Sequence, residues 1–237
     1  MASDISILYY TANRIPEHFA RAVREELVRS TAGQHEIVSV SHDKAIEFGR
    51  FRHVVFGAEP SIYQVYRNVL IAARLARTPW VACCEDDTVY SPEHFEFRPA
   101  ADTFAYDLDR WVLTRELSED GRRRVGLYYW RERHQMAMLV CSRKLLIETL
   151  EERFAKYPDP VAHDVAKRTG WGEPGRYEKN LGLTRRGMAY FRSGGPSVTF
   201  NHSDSLMGRR RINPGDVIRR DLPRWGPATD LWGRIHG

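Results

Sequence analysis

The sequence predicts an α/β fold: an open, mostly parallel sheet flanked by helices, with a smaller antiparallel part in the second half. Two observations predict it. Short apolar runs alternate with segments of helical period from Ile5 to Cys84, the pattern of a parallel open sheet. From Trp111 to Cys141 strand-like segments then follow one another without an intervening helix.

Taken in order, Ile5–Thr11 (ISILYYT) is apolar, β-branched and aromatic, and predicts a first strand. Pro16 opens a helix at a first-turn position; Phe19, Val23 and Leu27 recur on one face, and Gly33 ends it. Glu36–Val40 alternates as a second strand, and His53–Phe56 is a short third. Ser61 caps a long helix carrying Ile62, Val65, Val69, Ala72 and Ala76 along one side. Trp80–Cys84 is the next strand. In the second half, Trp111–Thr114, Val125–Trp130 and Met136–Cys141 read as strands, the last two as antiparallel neighbours. Lys144–Tyr157 is an amphipathic helix through Leu145, Leu146, Leu150 and Phe154, stopping before Pro158. Asp159 to Gly195 reads as long functional loops around one or two short helices. Pro196–Asn201 is a last short strand leading to His202.

The chain has 237 residues, 42% of them hydrophobic and 28% charged, which is a globular composition. No apolar run reaches the length of a membrane span. The opening MASDISILYY lacks a basic segment ahead of its apolar run, against a signal peptide. Cys83, Cys84 and Cys141 sit in apolar runs without CxxC spacing and read as buried thiols in a reducing cytosol. The expected location is therefore cytoplasmic. The formal charge of +5 is unevenly spread. Ser205 to Gly237 holds seven Arg against three Asp, and Gly121 to Lys144 holds seven basic residues against Glu132 alone. Such patches suit phosphate-rich partners.

The chemistry concentrates in PWVACCEDDTVYSPEHF, Pro79–Phe95, where an apolar strand runs into Glu85, Asp86 and Asp87. Adjacent carboxylates repel, so the arrangement asks for a cation. In open α/β sheets ligands bind beyond the carboxyl ends of the strands, which is where this triplet and Thr11–Arg14 fall. Strand alternation would aim Glu85 and Asp87 one way and Asp86 the other. Two hard oxygen ligands suit Mg²⁺ or Mn²⁺, which completes its shell with water and substrate phosphates.

Strand, triplet and TVYSPEHFEF together resemble the metal-binding DxD region of a GT-A glycosyltransferase. The likeness is to a bacterial and phage-associated group related to family-two glycosyltransferases. It is carried by Glu85, Asp87, Val89, Tyr90, Pro92, His94 and Phe95, and upstream by Ser61, Tyr63, Gln64 and Ala73. AYDLDRW is similar to a Tyr-Asn-x-Asn-x-Trp element with Asp107 and Asp109 in place of Asn. GEPG (Gly172–Gly175), Glu178 and NHSDSLMGRR (Asn201–Arg210) resemble the end of the transferase domain. The resemblance covers most of residues 5–211. It departs at Asp86, where relatives often carry His, and so leaves open which carboxylates bind metal.

The resemblance implies a GT-A-like fold and a nucleotide-diphosphate sugar as donor. Asp87 would bind the metal, Glu85 the metal or the nucleotide, and His202 would be a third contact. Thr11 and Asn13 would line the nucleotide pocket, with Gln64 and Asp86 placed alongside them. On physical grounds an imidazole ligand tilts the choice towards Mn²⁺. Arg209, Arg210 and Arg211 can neutralise a departing diphosphate. An inverting transferase also needs a general base; Asp164, Glu173 and Glu178 are the candidates, Glu173 first by resemblance. Tyr128, Tyr129, Trp130 and Trp171 could stack on a sugar or base.

These readings describe one domain over 1–237: a nucleotide-binding half over 1–95, an acceptor-side half over 96–211 and a basic extension over 212–237. The expected activity is metal-dependent sugar transfer to a hydroxyl, in a bacterial or phage-infected cell. The basic patches allow a nucleic-acid acceptor such as a hydroxymethylated DNA base; a lipid-linked or polysaccharide acceptor is open as well. The rival readings are a nucleotidyltransferase, a non-enzymatic nucleic-acid-binding protein and, more weakly, a metal nuclease. The first would want a glycine-rich loop after the first strand, which YYTANRIPEHF does not supply.

Overall fold

The computed structural model of the protein describes residues 3–117, 124–159, 172–202 and 211–236. Strands β1 (Ile5–Tyr10), β2 (Glu36–His42), β3 (Phe51–Val55) and β4 (Trp80–Glu85) pair side by side in parallel, with β1 between β2 and β4. Every residue of β1 is buried, as the continuous apolar run of a central strand requires. Helix α1 (Glu17–Ser30) ends where Ala32 and Gly33 take positive φ, and the Gly33 N–H reaches back to the Val28 carbonyl at 3.1 Å. Helix α2 (Ile62–Leu75) is capped by Ser61, whose hydroxyl accepts from Gln64 N–H at 3.1 Å. Its buried side runs through Tyr63, Tyr66, Val69 and Ala73; Ile62 and Val65 are only partly covered, so the face is rotated from the expected one.

The second half corrects the expected pairing. Met136–Met138 is a turn of 3₁₀ helix, and only β9 (Leu139–Ser142) is extended. Strand β9 is not the neighbour of β8 (Arg124–Trp130). It inserts antiparallel between β4 and β6 (Thr103–Asp107), and β10 (Gly187–Phe191) adds in parallel outside β6. Neither β6 nor β10 was expected from the sequence, because TFAYD and GMAYF are short and lack a clean alternation. Among the described residues the main sheet has seven strands in the order β10-β6-β9-β4-β1-β2-β3. A second sheet runs β12-β8-β7-β11-β5. Its members are β5 (Thr88–Val89), β7 (Arg110–Leu117), β8, β11 (Ser197–Phe200) and β12 (Val217–Arg219), antiparallel except for β7 with β11. The predicted class therefore holds: α/β, mostly parallel, with a smaller and mainly antiparallel part.

Helices α2 and α3 (Arg143–Lys156) cover one face of the main sheet. A separate core lies between the second sheet, α1 and the C-terminal segment. That segment is more than a basic extension. After a two-stranded ribbon of β13 (Asp221–Leu222) and β14 (Gly226–Pro227), helix α4 (Ala228–His236) packs Leu231 and Ile235 with Phe19, Val23 and Phe200. Burying each such aliphatic side chain is worth roughly 1.5–3 kcal/mol, enough to hold the end of the chain on the body.

Candidate active site

The ends of β1 and β4 lie level, Tyr10 opposite Glu85, so the segments that follow them share one edge. Strand β4 stops at Glu85, and Asp86 and Asp87 form the turn into β5. Strand alternation therefore does not carry through the triplet, which corrects the expected orientation. Glu85 turns to the α2 side, where the Tyr10 hydroxyl donates to its Oε1 at 2.8 Å. Asp86 takes a short hydrogen bond from the Thr11 hydroxyl. Asp87 Oδ2 stands 3.4 Å from His202 Nε2, both side chains largely buried. The Phe200 N–H donates to the Asp87 carbonyl at 2.8 Å, so β11 delivers His202 to the carboxylates.

Burial, and then the neighbouring Asp87 carboxylate, push Asp86 up to about 7. A divalent cation would relieve that repulsion. Among the described residues no three His, Cys, Asp or Glu side chains converge on one point. The pair Asp87 and His202 fits Mg²⁺ or Mn²⁺ held by two side chains, with water and donor phosphate completing the shell. Glu85 does not share that pair's position.

Asn13, His42, Gln64 and Asn68 form a bracket beside this edge. Asn13 adopts a positive φ of 53°, and its amide donates to the His42 carbonyl and, at 3.1 Å, to the Lys44 carbonyl. It pins the loop after β2. Gln64 donates to Asn68 at 2.8 Å, and Asn68 lies 2.8 Å from His42 Nε2. His42 and Asn68 were not singled out from the sequence; only their place at a strand end and a helix face could have marked them.

On the other side, GEPGR forms a turn closed by Arg176 N–H to the Glu173 carbonyl at 3.4 Å, with Pro174 second and Gly175 third at φ +88°. Proline presets the first central position and glycine takes the positive φ of the next, a type II arrangement. The Tyr106 hydroxyl anchors the turn by donating to the Pro174 carbonyl at 2.7 Å. Glu173 Oε2 then lies 4.0 Å from His134 Nε2, and Arg176 Nη1 donates to that same nitrogen at 2.8 Å. Burial, helped by Arg176 and Arg133, holds His134 below the ordinary imidazole range despite Glu173. Buried Tyr66, with the Arg153 guanidinium over its ring at 5.0 Å, lies within electrostatic reach of both the Glu173 and the Glu85 carboxylates. Burial and then Glu173 raise its phenol, and Glu85 acts in the same direction.

Glu178 is placed differently. It is 2% exposed and pairs at 2.9 Å with fully buried Arg153, which also donates to the Gly172 carbonyl at 2.8 Å. It holds the loop rather than facing a substrate. Asp164, Arg209, Arg210 and Trp171 lie outside the described residues. Tyr128 and Tyr129 are core, whereas Trp130 is half-buried.

Two motif residues are braces. His94 Nδ1 and Asp107 Oδ2 meet at 3.1 Å with both side chains fully buried. Burial works to raise Asp107, but the His94 hydrogen bond and charge pull its carboxyl below the ordinary range. Tyr90, also fully buried, accepts from the Glu85 N–H at 2.9 Å and fixes the end of β4.

No family model and no curated protein matches the chain. Among solved structures it is similar to a nucleotidyl transferase from Methanothermobacter thermautotroptrophicus, at 15% identity and a TM-score of 0.39 over 80% of this chain and 88% of that one. It is also similar to a protein from Desulfovibrio desulfuricans G20 provisionally described as a nucleotide-diphospho-sugar transferase. There the identity is 10% and the TM-score 0.42, over 99% of this chain and 97% of that one. Likeness at this level carries no functional argument, and the fold class stands on the strand order itself. Among the described residues no helix is long and apolar enough to cross a membrane.

Proposed function

We propose that the protein is a metal-dependent glycosyltransferase that moves a sugar from a nucleotide-diphosphate sugar to an acceptor hydroxyl. One observation carries the reading: Asp87 and His202, 115 positions apart in the chain, face each other at 3.4 Å beside Asp86 and Thr11. Asp87 and His202 would hold Mn²⁺ or Mg²⁺. The ion, when bound, supplies positive charge to the diphosphate leaving group. Thr11, Asp86 and the Asn13–His42 bracket form the donor wall.

Glu173 is the proton acceptor of an inverting transfer. The acceptor O–H gives its proton to the Glu173 carboxylate as the oxygen bonds to the anomeric carbon. The bond from that carbon to the diphosphate oxygen breaks, and its electron pair leaves with the nucleoside diphosphate. Glu173 is favoured over Glu178 because Glu178 is already paired inside the protein. The nucleotidyltransferase reading loses ground for a specific reason: the loop after β1 carries a pinned Asn13 where a phosphate cradle would want glycines.

Thermal unfolding with UDP, GDP, ADP, CDP and dTDP, each with and without Mn²⁺, tests the proposal on wild type and Asp87→Ala. A ligand at a hundred times its Kd stabilises by about 2.7 kcal/mol. A rise with one nucleotide that needs Mn²⁺ and vanishes in Asp87→Ala is expected. Absence of any Mn²⁺-dependent rise across the panel would sink the reading.

A further inference from the structure

A line of alternating arginines and aromatic rings leads away from Glu173. It begins at Arg176 and His134, described above. His134 Nδ1 lies 3.5 Å from the hydroxyl of Tyr190, a side chain 47% exposed on edge strand β10. Two residues on, Arg192 lies over the Trp130 ring at 5.0 Å. Trp130 is the direct cross-strand partner of Trp111, so both indoles stand on one face of the second sheet. Arg219 lies over Trp111 at 5.7 Å. Val217, opposite Trp130 on the outer strand β12, ends the strip at 45% exposure.

The charge along this line favours an anion. Arg131, Arg133, Arg176, Arg192 and Arg219 stand along it with Asp109, Glu132, Glu173 and Asp216; Asp109 pairs with Arg192 at 2.8 Å and Asp216 with Arg131 at 2.6 Å. Five cations against four anions leave an excess of one, and Arg176 and Arg219 are outside those two pairs. A neutral glycan would use the indoles but give the guanidinia no counter-charge. A duplex would meet the guanidinia but hide its base faces inside the stack. A single strand offers phosphates to the arginines and base faces to the rings, the combination used by sequence-tolerant single-strand binding surfaces.

We propose that this strip is a docking track for single-stranded nucleic acid, leading its bases towards Glu173. The role of the bound strand as sugar acceptor rests on the transferase reading; the binding itself does not. Trp111 packs in part against the core between the second sheet and α1, and Arg192 and Arg219 lie near the Trp130 and Trp111 rings. A base stacks on such a guanidinium or takes its place.

The test is fluorescence anisotropy with labelled oligothymidylate, run at graded salt on wild type, Arg219→Gln and Trp111→Leu. Arg219 is exposed, so its substitution leaves folding intact; melting curves control for Trp111→Leu. Stacking is worth about 1–3 kcal/mol per base, so Trp111→Leu should weaken binding by about fivefold or more. Arg219→Gln should lower the salt slope by about 0.7, one phosphate contact on a single strand. Asp87→Ala should leave oligonucleotide binding unchanged, and both track variants should keep the Mn²⁺-dependent nucleotide shift. No binding at low salt overturns the track. So does equal binding by folded Trp111→Leu, or binding of duplex as tight as single strand. A lost nucleotide shift with intact oligonucleotide binding would instead remove the transferase reading alone.

Discussion

Glu173 and Glu178 are five positions apart in one loop, and burial gives them different work. Glu173 sits at the open side of a turn, against His134 and Arg176. Glu178 faces Arg153 inside the protein. Removing one partner of a buried ion pair strands the other charge, a loss of about 3–5 kcal/mol. Glu178→Ala should therefore lower the urea midpoint sharply, whereas Glu173→Gln should leave it near wild type and abolish turnover. Equal stability of the two variants would show that the Arg153 pair is not structural. The sequence made both residues candidates, since acidic side chains in a loop look alike until their partners are known. It also marked His94 and Asp107, but as pieces of a motif; their contact at 3.1 Å shows a brace beneath the site.

Helix α4 illustrates the same division among elements. Its docking places His236 between the rings of Trp232, at 3.9 Å, and Phe19, at 4.6 Å. Burial, and after it His18, His202 and Arg115, depress the imidazole from 6.5 to about 4. A base whose folded value is depressed binds its proton more readily when unfolded. Its stabilising contribution is full above about 6.5 and is lost as pH falls from there to about 4. His236→Phe should keep the ring packing and flatten that part of the acid limb, read from urea midpoints against pH. An unchanged limb would place its titrating groups elsewhere. The sequence of this segment shows its arginines plainly. It does not show that Leu231 and Ile235 close a core with α1, because their partners lie some 200 residues away.

Across the whole molecule, stability should follow the sheet. Strand β1 is buried on both faces and paired on both edges, while β12 is exposed along its length. Amide hydrogen exchange should be slowest in β1 and β4 and fastest in β12 and β10, the edges of the two sheets. Slow exchange in β12 would mean that its outer edge is covered. The parallel half is legible in the sequence: β1 to β4, α1 and α2, and the position of the acidic triplet at a strand end. Those features are written in short-range periodicity, caps and turn residues, which act within a few positions. Which groups meet is set by the folded chain. The turn at Asp86–Asp87 breaks strand alternation, so that Glu85 stays on the face of Val81 and Cys83 with Tyr10 while Asp87 turns to His202. His202 reaches Asp87 from 115 positions away, and β9 leaves β8 to enter the main sheet. Long-range contacts of that kind follow from which faces remain to be buried once the local elements exist, and no local pattern encodes them.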